Sequence, residues 1–179
     1  MVDINFSEFV YRPAEDTYLM LDNISCGRRV LEIGSGTGII AINIAYSHDV
    51  TATDISPDAI KLINENAKLN NVKLKVIKSD LFEAINGLYD TILFNPPYLP
   101  VENEDIQWSG GKDGFETTGK FLDSAYRFLE DDGNIYIILS DLTDIAWLEN
   151  KYSIYRFKEI KSMKFDFETI YLYELKVRK

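Results

Sequence analysis

The segment Asn95-Pro96-Pro97-Tyr98 carries the most specific chemistry in the chain. Two prolines fix consecutive backbone dihedrals and have no N–H, so their carbonyls are free to point into a site from a rigid rim. The Asn95 side-chain oxygen and the Pro96 carbonyl could together accept both hydrogens of a planar NH₂ group, with the Tyr98 ring stacked on its face. Taken alone, the segment reads equally well as a proline turn that ends a strand with Asn capping it. Its companions shift that balance. Glu32 through Gly38 has the spacing acidic-x-Gly-x-Gly-x-Gly, and Ile39 stands where a dinucleotide fingerprint would have its third glycine. Gly34 and Gly36 then form a flat backbone shelf beside a carboxylate, suited to a zwitterionic amino-acid tail rather than a phosphate. Asp54 falls 20 residues after Gly34, the distance at which an acid grips both hydroxyls of a ribose. Asp80 could accept a hydrogen bond from an adenine amino group, with Leu81 and Phe82 offering apolar contact. Asp also caps turns, so each acid carries weight only in company.

Short apolar runs that alternate with helical-period segments must position these residues, the pattern of an α/β sheet with crossover helices. The pattern predicts strands over 29–33, 50–53, 73–77, 91–94 and 135–139 and helices over 14–23, 39–46, 57–70, 117–129 and 142–150. Two further strands, 154–160 and 169–177, are expected to pair antiparallel at the end of the chain. Ser56-Pro57-Asp58 supplies an N-cap, an N1 proline and a first-turn carboxylate, with Ala59, Ile60, Ile63 and Ala67 on the inner face of the helix that follows. Lysines alternating with apolar residues over 73–77 suit a sheet edge, where charge blunts unwanted pairing. The loop 99–114, long and polar, is the natural place for substrate contact. Gly34, Gly36 and Gly38 follow the first strand, Asp54 the second, Asp80 the third and Asn95 the fourth, and in an open parallel sheet ligands collect beyond the carboxyl ends, where the strand order reverses. His48 precedes its strand, at the opposite edge, and is expected to be a surface or core residue.

Composition removes other chemistries. A length of 179 residues with 46% hydrophobic and 27% charged residues is that of one globular domain, 1–179. With Cys26 the only cysteine and His48 the only histidine, a disulfide, a Cys-based zinc site and a His-ligated metal are not expected. The net charge of −10 repels phosphate backbones and anionic membranes, so nucleic acid is a disfavoured partner. The N-terminal stretch has no long apolar run, and neither a signal peptide nor a membrane anchor is expected, which points to the cytoplasm.

With Val10-Tyr11-Arg12-Pro13-Ala14-Glu15-Asp16-Thr17, Leu31-Glu32-Ile33-Gly34-Ser35-Gly36-Thr37-Gly38, Asn95-Pro96-Pro97-Tyr98 and Trp108-Ser109-Gly110-Gly111-Lys112-Asp113-Gly114 in order, the chain resembles class I S-adenosylmethionine-dependent N-methyltransferases. Within them it is most similar to the HemK-like protein glutamine N5-methyltransferases, in the archaeal and eukaryotic branch that modifies the GGQ glutamine of class 1 peptide release factors. The first and last of the four segments are the most specific. The chain begins too late to hold the helical recognition domain of the bacterial relatives, as expected for that branch. The resemblance implies a Rossmann-like, doubly wound, mostly parallel seven-stranded sheet ending in an antiparallel pair. It implies that residues 1–24, Thr17 included, cover the cofactor, that Glu32, Gly34 and Gly36 hold its methionine end, that Asp54 takes the ribose and that Asp80 and Leu81 take the adenine. Asn95, which also borders the cofactor, would orient the substrate amide with the Pro96 carbonyl, while Pro97 and Tyr98 complete the catalytic rim. A small zinc-binding activator is the partner implied. Tyr11 and Trp147 are expected as core or surface, and 102–105 as a solvated run. Three alternatives remain: a DNA or RNA amino-group methyltransferase, opposed by the charge; a non-catalytic subunit that kept the fold; and an NAD dehydrogenase, disfavoured by Ile39.

Overall fold

A seven-stranded sheet in the order β3-β2-β1-β4-β5-β7-β6 organises the molecule. The computed structural model describes residues 2–97 and 115–179, so Tyr98, the 99–114 loop and its Trp108 segment lie outside the described residues. The elements are α1 (Glu15–Asn23), β1 (Arg29–Ile33), α2 (Ile39–Ile44), β2 (Asp49–Asp54), α3 (Pro57–Leu69), β3 (Lys75–Lys78), β4 (Tyr89–Phe94), α4 (Glu116–Ala125), β5 (Leu129–Ser140), α5 (Ile145–Lys151), β6 (Tyr155–Lys164) and β7 (Thr169–Val177). Strands β1 to β5 run parallel, and β7 pairs antiparallel with both β5 and β6. This is the expected Rossmann-like class I methyltransferase sheet with its antiparallel terminal pair. The order reverses between β1 and β4, which places the switch point at the carboxyl ends of the strands that carry Glu32 and Asn95.

The two-residue period of each strand divides the core into two layers. Leu31, Ile33, Ile92, Phe94, Ile135 and Ile137 pack with α4 and α5. Val30, Ala52, Leu93, Tyr136 and Ile138 pack with α1, α2 and α3. Glu32 pairs in register with Ala52 and Leu93, and Asp54 and Asn95 continue the same phase. All three side chains therefore face the α1 to α3 layer.

Several boundaries differ from those expected. Helix α2 stops at Ile44, whose carbonyl accepts the N–H groups of Ser47 and His48, and the His48 ring Nδ1 lies 3.0 Å from the same oxygen. Helix α4 ends at Ala125, followed by a 3₁₀ turn over Tyr126–Phe128, and β5 begins at Leu129, earlier than the apolar run at 135 suggests. An irregularity in the β4–β5 pairing absorbs the polar stretch 130–133. Helix α5 starts at Ile145 because Asp144 accepts the Trp147 N–H at 2.9 Å as its N-cap. The buried face of α3 carries Ala59, Leu62, Ile63, Asn66 and Ala67, with Ile60 half-buried. Strand β3 does sit at an edge. Among the described residues, no helix is long and apolar enough to cross a membrane.

Candidate active site

A cavity of about 680 Å³ opens at the switch point, floored by the turn after β1 and walled by the segments that follow β2, β3 and β4. The turn is built by glycine: Gly34, Gly36 and Gly38 have φ of +66°, +53° and +80°, where a side chain would be strained. A Cβ on Gly38 would also lie 3.2 Å from Ile63 on α3, so this glycine lets α2 and α3 close together. The turn is tied to β2 through Ser35 N–H to the Thr53 carbonyl, at 2.8 Å.

Asp54 completes that tie. One carboxylate oxygen accepts the Gly36 N–H and the other the Ser56 N–H, both at 2.9 Å, which fixes the group at the cavity wall. Burial pushes its carboxyl above the usual range, against the N–H groups of Ser56, Gly36 and Ile55. Glu32 is 5% exposed and accepts the Ala41 N–H at 3.0 Å. Burial pushes its carboxyl up to about 8; the Ser35 and Ala41 contacts oppose the rise and the Asp54 charge adds to it. Asp80 and Leu81 line the same cavity beyond β3. Their turn is held by the Ser79 hydroxyl, which donates to the Leu81 carbonyl and accepts the Ala84 N–H, and it puts Leu81 at φ +44°.

Phe82 corrects the sequence expectation. It is buried in the core, stacked on Phe128 with centroids 4.7 Å apart and tilted against Phe121 at 5.3 Å. Phe121 in turn stacks on Phe94 at 4.3 Å. This ladder of rings runs beneath the cavity and sets the relative placement of the Asp80 turn and Asn95.

Asn95, Pro96 and Pro97 line the cavity beside the glycine turn, because Ile33 and Phe94, which precede the two, pair in register. The Asn95 Nδ2 donates to Asp16 at 2.9 Å, and Oδ1 is buried with no hydrogen-bond partner among the described residues. Asp16 and Tyr11 also line the cavity, in the segment expected to cover the cofactor but not singled out individually: Asp16, in the first turn of α1, is 4% exposed, and the Tyr11 hydroxyl donates to its two oxygens at 2.8 and 2.9 Å. The Thr17 N–H donates to Asp16 Oδ1 at 2.6 Å, and Thr17 itself borders the cavity. Beyond the segment around Asp16 and Thr17, the sequence held no local signal for the Asp16–Asn95 pair, whose members stand 79 residues apart.

The family profile described as "Methyltransferase small domain" matches residues 13–157. A putative protein N5-glutamine methyltransferase of Methanocaldococcus jannaschii is 43% identical over 174 residues, covering 90% of this chain and 88% of that protein. The chain belongs to this methyltransferase family. It is an S-adenosylmethionine-dependent methyltransferase, and the cavity at the switch point is lined by the glycine turn and Asp54. A release factor glutamine methyltransferase of Streptococcus pneumoniae is 34% identical over 134 residues, 66% of this chain and 48% of its own length, so the methyltransferase spans about half of that bacterial relative. The fold of this chain matches that of one chain in the E. cuniculi Mtq2–Trm112 complex, described as responsible for methylation of the eRF1 termination factor, with a TM-score of 0.79 and 24% identity over 95% of this chain and 99% of that one.

Proposed function

We propose that the methyl acceptor is the side-chain amide of a glutamine, that of the GGQ motif of a class 1 peptide release factor. The observation that carries this reading is the buried Asn95 Oδ1 at the cavity wall, without a hydrogen-bond partner among the described residues, beside a double-proline rim whose Pro96 has no N–H to donate. With the Pro96 carbonyl as a second acceptor, the rim would select a planar NH₂ donor pair. The named activities of the Methanocaldococcus and Streptococcus relatives support the same acceptor class. A net charge of −10 disfavours a nucleic acid in that role.

When bound, S-adenosylmethionine supplies an activated methyl group on a sulfonium. Asp54 would hold the ribose, Glu32, Gly34, Gly36 and Thr17 the methionine end, and Asp80 with Leu81 the adenine. The chain reads as one methyltransferase domain, with residues 1–24 covering the cofactor. An amide nitrogen is a poor nucleophile because its lone pair is delocalised. Asn95 and Pro96 localise that pair by accepting both N–H hydrogens as the N–C bond forms and the C–S bond breaks. Alignment of the reacting atoms and exclusion of water account for ~7 kcal/mol or more of the barrier in reactions of this kind. The surplus proton leaves the nitrogen for water after transfer, so no strong base is needed. Pro97 stiffens the rim, and Tyr98 would stack on the amide.

The edge strand β3 is open to β-addition, and the E. cuniculi relative was solved as a complex with Trm112. A small zinc-binding activator is the partner we propose on that edge, with the cytoplasm as the compartment. Labelled cofactor, the chain with and without such a partner, and a class 1 release factor with an intact or Gln-substituted GGQ loop test the reading together. N5-methylglutamine formed only on the intact loop is expected, whereas label on nucleic acid alone would overturn it.

A further inference from the structure

The side-chain amide of Asn95 has two ends of nearly equal size, and half a turn about its last torsion exchanges acceptor for donor. Only one orientation serves an NH₂ group, because the other would set N–H against N–H. We infer that Asp16 is a positioning residue that fixes this choice, an inference that rests on the role proposed above for Asn95. A carboxylate accepts and does not donate, so the group facing Asp16 at 2.9 Å must be Nδ2, which leaves Oδ1 turned away from it, buried and without a partner among the described residues. Asp16 is itself held from several directions. The Tyr11 hydroxyl donates to its oxygens, and Oδ1 receives the Thr17 N–H at 2.6 Å and the Thr17 hydroxyl at 3.2 Å. The first turn of α1 also places its amide dipoles beside the carboxylate, where negative charge is favoured. A second effect follows from the charge. Accepting a hydrogen bond from Nδ2 draws electron density toward Oδ1 through the conjugated amide, and this cooperative polarisation makes Oδ1 a stronger acceptor for the substrate N–H. The segment that carries Asp16 thus sets the orientation of a group at the end of β4.

The experiment compares wild type, Asp16→Ala, Asp16→Asn, Asn95→Ala and the doubles Asp16→Ala/Asn95→Ala and Asp16→Asn/Asn95→Ala in the full chain, with any activator held constant. In the cofactor-free protein, the Asn95 side-chain ¹⁵N–¹H pair, assigned by its loss in Asn95→Ala, should be protected from solvent exchange and should lose that protection when Asp16 is replaced by Ala. With a class 1 release factor as acceptor, Asp16→Ala should lower kcat at least tenfold while KM for S-adenosylmethionine stays within threefold. The double variant should be no more than twofold slower than Asn95→Ala alone, because the two residues act as a unit. Asp16→Asn keeps the shape of the side chain but permits either orientation of Asn95. It should melt close to wild type yet lose at least fivefold in kcat, and its double carries the cycle if Asp16→Ala does not fold. Multiplicative losses, a normal kcat in folded Asp16→Asn, or a loss confined to cofactor affinity would overturn the positioning role. Normal transfer by Asn95→Ala would instead overturn the role of Asn95, and with it the inference, even where the NMR protection is present.

Discussion

Asp54 and Glu32 hold their places by accepting main-chain N–H groups, yet they lead to different measurements. In the role proposed for it Asp54 would accept hydrogen bonds from the ribose hydroxyls, and charge-assisted hydrogen bonds contribute about 1.5–3 kcal/mol each. Asp54→Ala should therefore weaken S-adenosylmethionine binding at least tenfold, and calorimetry giving an unchanged affinity in a folded variant would remove it from the site. For Glu32 the readout is pH. Its carboxyl in the folded, cofactor-free protein stands at about 8 instead of the usual 4.5, so the protonated form is the one the fold prefers. The stability this gives is complete below pH 4.5 and is lost as pH rises through 8. A cationic ammonium beside Glu32 favours the ionised form, so cofactor binding should release a proton, and affinity should rise from pH 5.5 to 7.5. Glu32→Gln should flatten that slope, and calorimetry in buffers of different ionisation heat reads the proton directly. Both acids were legible as cavity residues because Glu32 stands at the end of an apolar strand ahead of the glycine turn and Asp54 closes the next strand. Asp16 and Tyr11 were not, since the Asp16–Asn95 bond joins residues remote in sequence and no local period encodes it. Phe82 was misjudged for a related reason. An apolar residue after a loop acid fits a ligand wall or a core equally, and the rings of Phe121 and Phe128 decided the matter.

Helix α3 shows how elements, and not only residues, assemble the cavity. Its N-terminus follows the expected rule, with Ser56 accepting the Ala59 N–H and Pro57 at the first helical position. Further along, two asparagines one turn apart clip the N-terminal strap to it. Asn70 pairs with both backbone groups of Asp3, and Asn66 pairs with both backbone groups of Asn5 while also donating to the Thr37 carbonyl in the glycine turn. Asn66 is 0% exposed, so truncating it leaves three backbone groups short of a partner. Asn66→Ala should cost about 2–4 kcal/mol, seen as a lower midpoint in denaturant, and should weaken cofactor binding because the strap carries the cavity roof. Asn70→Ala, at an exposed clip, should cost about 1 kcal/mol or less. The strand and helix alternation that gave rise to the right sheet was visible in the sequence because burial imposes a period on it. The early start of β5 was not, because a strand entering through a register shift can carry polar residues that no period marks.

At the scale of the whole molecule, the strap, the glycine turn and α3 meet at one buried side chain, and this bears on how the protein opens locally. Peeling the strap away breaks both Asn66–Asn5 bonds and leaves a buried amide facing the turn through its single bond to Thr37. Loosening the turn leaves the same amide unpaired from the other side. The low-cost route is for the three segments to open as one cooperative unit, with the β5-β7-β6 half of the sheet staying folded. Amide hydrogens of Asn5, Gly38 and Ala41 should then exchange with deuterium at a common opening free energy, below that of β5 and β7, and bound S-adenosylmethionine should slow all three together. Entry of the methyl donor and exit of the spent thioether would share that opening, so turnover could be limited by the door and not by the transfer, and Asn66→Ala would hasten product escape even as it weakens the grip.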